Sequence, residues 1–187
     1  MAIETRISGE AYERLALAEP DRKWELREGV LCEKPGMTAA HNWLEVKLGH
    51  MLMSQPDWSV FQVRVVAGRV RRPEATYFIP DVFVMPTALV TPLLNQQDVL
   101  ESFDQPLPLV VEVWSRSTGD YDVEERLAVY QQRGDLEIWR IHSYERTLTA
   151  WRRQPDGSYE ETMHREGIVS PTAPPGVEID LAALFDA

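Results

Sequence analysis

The stretch "YFIPDVFVM", residues 77–85, sets Asp81 against four apolar residues, Val82 to Met85, in a run that otherwise reads as a buried strand. "PLPLVVEVWSRS", residues 106–117, repeats the pattern: Leu109, Val110 and Val111 precede Glu112, and Val113 and Trp114 follow it. Consecutive apolar positions without period-two alternation mark a central strand covered on both faces. A carboxylate in such a strand is costly unless it is paired, hydrogen-bonded or bound to a metal. If the two strands are sheet neighbours, Asp81 and Glu112 converge and repel one another without a cation; hard oxygen ligands of this kind select Mg²⁺ or Mn²⁺. The same pattern also suits two carboxylates at strand ends, each capping a backbone or pairing with an arginine.

On either side of this pair the chain reads as helices first, then strands. Ser8 is an N-cap with Glu10 in the first turn, and it opens a helix over "GEAYERLALAE" that Pro20 closes. "WELREGVLCE", residues 24–33, turns at Glu28-Gly29 between two β-prone pieces and predicts a hairpin. Thr38 caps a second helix running to about Ser54, with His41, Leu44, Leu48, Met51 and Leu52 on one face. Residues 86–106, with Pro86, Pro92 and Pro106, predict a long polar excursion over the surface. After the Glu112 strand, "DYDVEERLAVYQQRG" predicts a helix stopped by Gly134, followed by the strands "LEIWRIHS" and "RTLTAWRR" around a turn at Ser143 to Glu145. Asp156-Gly157 makes another turn before "SYEETMH", and "GVEIDLAALF" closes the chain as a strand and a short helix. The expected class is α/β or α+β, a central mixed sheet flanked by helices.

At 187 residues the chain fits one domain, 1–187, large enough for a core without disulfides. One cysteine, Cys32, excludes an internal disulfide and a multi-cysteine zinc site. No apolar run approaches the roughly 20 residues of a membrane span, and "MAIETRISGEAYERL" lacks a signal-peptide core, so a soluble cytoplasmic protein is expected. The formal charge of −11 argues against nucleic acid held by bulk electrostatics. "RVRR" at 69–72 and "WRR" at 151–153 are local exceptions, read as solvated hairpin tips.

The ordered set "WELREGVL", "HNWLEVKLGHML", "PDVFV", "LVVEVWSRST" and "DVEERLAVYQQRGDLEIWRIH" resembles the restriction endonuclease family called Uma two, a branch of the PD-(D/E)XK nuclease superfamily. The likeness runs from about Ala11 to Phe185. It implies a restriction-endonuclease-like fold with the Asp and Glu on adjacent strands, a Mg²⁺-dependent phosphodiesterase site that accepts Mn²⁺, DNA as substrate, and by analogy with the superfamily a homodimer. Asp81 and Glu112 fall on the family's two metal-ligand carboxylates, and the Val113 carbonyl would be a third ligand. Glu25 matches an N-terminal acidic position that orients a water or touches a second ion. His41 matches a recurrent histidine with no assigned role.

Arg126 stands where the family usually has lysine, on the helix of "ERLAVY", and Trp114 stands two residues after Glu112, where the superfamily's lysine lies. Arginine can hold phosphate oxygens in a bidentate manner but cannot serve as a neutral base. The nucleophile would then come from the metal ion's water or from Glu25. The alternative is a catalytically inactive binding or assembly module in which Arg126 neutralises Asp81 and Glu112. A nuclease with this net charge needs a basic surface at the cleft, for which Arg64, Arg69, Arg71, Arg72 and Arg116 are candidates.

Other chemistries lack their motifs: there is no GxSxG elbow, no GxxxxGK[ST] loop, no HExxH helix and no GxGxxG after a strand. His41, His50, His142 and His164 lack metal-ligand spacing, and Cys32, between Leu31 and Glu33, reads as a packed thiol. Trp139 and Trp151 alternate within β-prone runs and read as core or as a dimer face.

Overall fold

A computed structural model describes residues 6–73, 75–115 and 119–186. Helix α1 spans Gly9–Ala18, with the Ser8 hydroxyl accepting from the Ala11 N–H as the cap predicts. Strands β1 (Trp24–Arg27) and β2 (Val30–Glu33) form the expected hairpin, with Glu28 and Gly29 at φ of 48° and 87°. Helix α2 (Ala39–Met53) is capped by Thr38, whose hydroxyl accepts from the His41 N–H.

Strands β3 (Phe61–Val65), β4 (Arg69–Arg72), β5 (Thr76–Phe78) and β6 (Val82–Pro86) follow, then the short helix α3 (Thr87–Val90) and a 3-10 turn, Thr91–Leu93. Strands β7 (Ser102–Phe103) and β8 (Leu109–Trp114) precede helix α4 (Gly119–Arg133), which Gly134 ends at φ 78°. Strands β9 (Glu137–His142), β10 (Thr147–Arg153), β11 (Tyr159–His164), β12 (Ile168–Val169) and β13 (Ile179–Asp180) and helix α5 (Leu181–Phe185) complete the order.

The mixed six-stranded sheet has the order β11-β10-β9-β8-β6-β3, with β8 and β9 parallel across the α4 crossover. A second sheet, β2-β1-β5-β4-β7, and a small β12-β13 pair accompany it. The expected mixed sheet flanked by helices is therefore present, with a five-stranded partner that residue patterns did not separate from it. Both faces of the six-stranded sheet are covered, as the unbroken apolar runs require. Val82, Val84, Leu109, Val111 and Val113 join Leu44, Leu48 and Leu52 of α2 in one core. Phe83, Met85 and Val110 join Val129 and Tyr130 of α4 and Val70 and Phe78 of the second sheet in another.

Two expectations are corrected. Residues 86–106 are not a polar excursion: they contain α3 and β7, bury Val90, Leu100 and Phe103, and pair in parallel with β4. "RVRR" is not a hairpin tip but β4 itself, hydrogen-bonded on both sides by β5 and β7. Arginine stems pack against apolar surface while their heads find partners, which is how a strand this basic sits inside a sheet. Trp139 and Trp151 are buried in the core.

Candidate active site: a buried charge centre between two sheets

The stretch quoted first contains one of the places where the chain passes from one sheet to the other. β5 belongs to the five-stranded sheet and β6 to the six-stranded one, and Ile79-Pro80-Asp81 is the connection. Pro80 has no N–H to satisfy and holds Ile79 extended. Three backbone groups of this connection have defined partners, two of them side chains of the site. Ile79 N–H donates to Glu25 Oε1 at 2.8 Å, Ile79 C=O accepts from Lys34 Nζ at 2.6 Å, and Asp81 C=O accepts from Val66 N–H at 2.8 Å.

The β6–β8 ladder pairs Val82 with Val111, so Asp81 and Glu112 stand at the next facing step of two neighbouring strands. Val113 N–H donates to Asp81 Oδ2 at 2.7 Å and ties the two strands at that step. Glu112 shares the parity of Val110 and faces α4, where Arg126 and Tyr130 lie one turn apart on one face. Arg126 Nη2 donates to Glu25 Oε2 at 2.6 Å and Nη1 to Glu112 Oε1 at 3.3 Å, and its guanidinium lies 4.7 Å above the Phe78 ring. Tyr130 OH donates to Glu112 Oε1.

On the other side, Lys34 Nζ donates to Asp81 Oδ1 at 2.6 Å. His41 Nε2 lies 2.9 Å from Glu45 Oε1 and 3.3 Å from Asp81 Oδ2. Glu25, Lys34, His41, Glu45, Asp81, Glu112 and Arg126 are all buried. Four carboxylates thus face three cationic side chains in low dielectric, and this imbalance shows in their protonation. Burial works against the charge on Asp81, yet Lys34 and then His41 hold its carboxyl well below the usual range. Burial pushes Glu112 up to about 7 against the pull of Arg126, and raises Glu45 as well. His41 loses from desolvation but gains more from Asp81 and Glu45, and rises to about 9.

All four residues singled out for catalysis from sequence, Glu25, Asp81, Glu112 and Arg126, meet in this centre. Their pairing differs from the expected one: Arg126 bridges Glu112 and Glu25, and Lys34 is the cation on Asp81. Lys34 and Glu45 were missed. Glu45 had a signal, since it follows His41 by one helical turn on the buried face; Lys34, in "CEKPG" at a strand end, has the context of an exposed turn residue. The candidate basic surface is likewise corrected. Arg64 pairs with Glu101, Arg69 donates to Tyr12 OH, Arg71 contacts Glu13 and Asp104, and Arg72 contacts Gln132 and Glu28. Arg116 lies outside the described residues.

The Uma2 family model, described as "Putative restriction endonuclease", matches residues 10–183. The chain belongs to this family. The crystal structure of a protein described as "a putative nuclease belonging to DUF820", from Anabaena variabilis ATCC 29413, superposes with a TM-score of 0.72 at 17% identity, over 87% of this chain and 89% of that one. At that identity the likeness establishes a shared fold. None of the curated proteins matches the chain.

Within this Uma2 member, the donor chemistry of the centre suits a divalent cation: carboxylate oxygens on adjacent strands, with His41, Glu45 and Asp81 offering three ligand atoms within 4.8 Å of one another. Trp114, two residues after Glu112, stacks on His142 with ring centroids 4.3 Å apart. Cys32 is half-buried and its thiol is raised by burial, as suits a packed side chain. No helix among the described residues is long and apolar enough to cross a membrane.

Proposed function

We propose that this chain is a metal-dependent endonuclease that hydrolyses phosphodiester bonds in DNA, with Asp81 and Glu112 as the carboxylates that hold Mg²⁺, or Mn²⁺ in its place, and the Val113 carbonyl as a third ligand. The observation that carries the reading is the facing position of Asp81, at the entry to β6, and Glu112, on β8, inside a chain of the Uma2 family. A divalent ion bound there would supply Lewis acidity to activate water and charge to offset the phosphate.

The chain's own residues have separable tasks. Glu25 fixes the Ile79 N–H and so the position of the connection that carries Asp81. Arg126, a permanent cation, offsets negative charge beside Glu25 and Glu112, but it holds no proton that it can give up to become a base. Glu112, whose carboxyl burial raises in the metal-free protein, must be ionised to ligate the ion, so metal binding there would release a proton. Because all of these groups are buried, DNA reaches them only when the surrounding segments open.

A second reading is favoured by one observation: Lys34, Arg126 and Tyr130 already occupy oxygens of Asp81 and Glu112. On that reading the centre is internally neutralised and the fold serves as a binding or assembly module. Plasmid nicking separates the two. Nicking with Mg²⁺ or Mn²⁺ that chelator abolishes, and that Asp81→Asn and Glu112→Gln each reduce at least about a hundredfold, supports the nuclease. Folded protein that leaves the plasmid intact at every metal concentration supports the module.

A further inference from the structure

Lys34 belongs to none of the motifs that carry the family resemblance, yet it sits at the middle of the centre. It follows β2, its backbone N–H continuing the hairpin to Lys23 C=O at 2.8 Å, and its side chain runs inward to two oxygens. Those oxygens are Asp81 Oδ1 and the Ile79 carbonyl, each 2.6 Å from Nζ. Its side chain is only 3% exposed, and that of Asp81 only 2%.

A carboxylate oxygen beside a backbone carbonyl is also the kind of donor pair that a hard divalent ion takes, at about 2.0 to 2.6 Å. The other oxygen of Asp81 accepts from Val113 N–H and faces His41, so an ion ligated through Oδ1 would take the side held by Lys34. An ammonium and a divalent ion cannot share it: both would lie within hydrogen-bond reach of one oxygen, as like charges with little solvent between them. A lysine is suited to vacate such a place, being a point charge on a flexible four-carbon stem, where an arginine fork is fixed by its geometry.

We propose that Lys34 is the resident counter-cation of this centre and that it and the divalent ion are alternative occupants of one position on Asp81. Lys34 is then a positioning residue that sets how much metal the site requires, and in the metal-free protein it bridges the Asp81 carboxylate and the Ile79 carbonyl and so holds this connection in place. This rests on Asp81 being a metal ligand, as proposed above.

The test is Mn²⁺ affinity, followed through the electron paramagnetic resonance of the free ion, for the native protein and for Lys34→Met, Lys34→Arg and Asp81→Asn. Lys34→Met keeps the volume and removes the charge; it is expected to bind Mn²⁺ about tenfold more tightly or better, with a larger Mn²⁺-induced rise in unfolding temperature. Lys34→Arg keeps the charge and is expected to gain nothing. Lys34→Gln, which retains a donor for Asp81, stands in if Lys34→Met does not fold. Unchanged or weaker binding in the charge-removing variant, with binding lost in Asp81→Asn, would overturn the proposal while leaving the carboxylate site intact. Absence of Mn²⁺ binding in the native protein and in Lys34→Met alike would remove the metal site itself, and this proposal with it.

Discussion

Arg126 holds two buried carboxylates from two different sheets, Glu25 at 2.6 Å and Glu112 at 3.3 Å. Removing one partner of a buried ion pair strands the other charge, at a cost of about 3 to 5 kcal/mol. Arg126→Met is therefore expected to lose about that much unfolding free energy in urea titration, and Arg126→Lys, which can reach one carboxylate but not fork to both, an intermediate amount. His41 gives a pH signature at the same scale. Its folded pKa of about 9 lies above the 6.5 of a free imidazole, so the stabilisation is complete below pH 6.5 and is lost as pH rises through 9. In chelator-treated protein, urea titrations at the two ends of that window should differ by up to about 3 kcal/mol, and His41→Asn should flatten the difference. An equally steep pH dependence in His41→Asn would place the titrating group elsewhere.

Among the elements, α2 packs on β3 too closely for one added carbon. Gly49 faces Val65, and a Cβ added at Gly49 would clash with Val65 Cγ2. Alanine improves helix propensity by about 1 kcal/mol over glycine, but overpacking against a stiff β-branched side chain costs about 1 to 3. Gly49→Ala is thus expected to be destabilising in thermal unfolding, with Val65→Ala in the same chain restoring part of the loss; a stabilised Gly49→Ala would show that β3 yields freely. Helix boundaries at this scale were legible because Ser8, Thr38 and Gly134 are local devices whose effect does not depend on tertiary structure. β7 was not, because two residues paired in parallel with a distant strand leave no periodicity to read. β4 was misread for a related reason: "RVRR" has charge on three of four positions, and only the partners brought by the fold, Glu101, Tyr12, Glu13, Asp104 and Gln132 among them, make it a strand.

For the molecule as a whole, one of the connections between the two sheets, Ile79-Pro80-Asp81, is held by the charged centre itself: Glu25 takes the Ile79 N–H, and Lys34 takes the Ile79 carbonyl and the Asp81 carboxylate. That explains why the carboxylates of "YFIPDVFVM" and "LVVEVW" could be found from sequence while their partners could not. A carboxylate inside an apolar run violates the local pattern and so announces itself, whereas Lys34 and Glu45 violate nothing nearby and acquire their roles only when β2 and α2 come together. The net charge of −11 then carries a further meaning, since much of the basic complement on β3 and β4 is committed to internal acidic or polar partners. If Asp81 and Glu112 hold a divalent ion, calorimetric titration of Mg²⁺ gives a saturable heat in the native protein that is absent from folded Asp81→Asn; no heat in either protein at millimolar metal would mean that the carboxylates hold no ion.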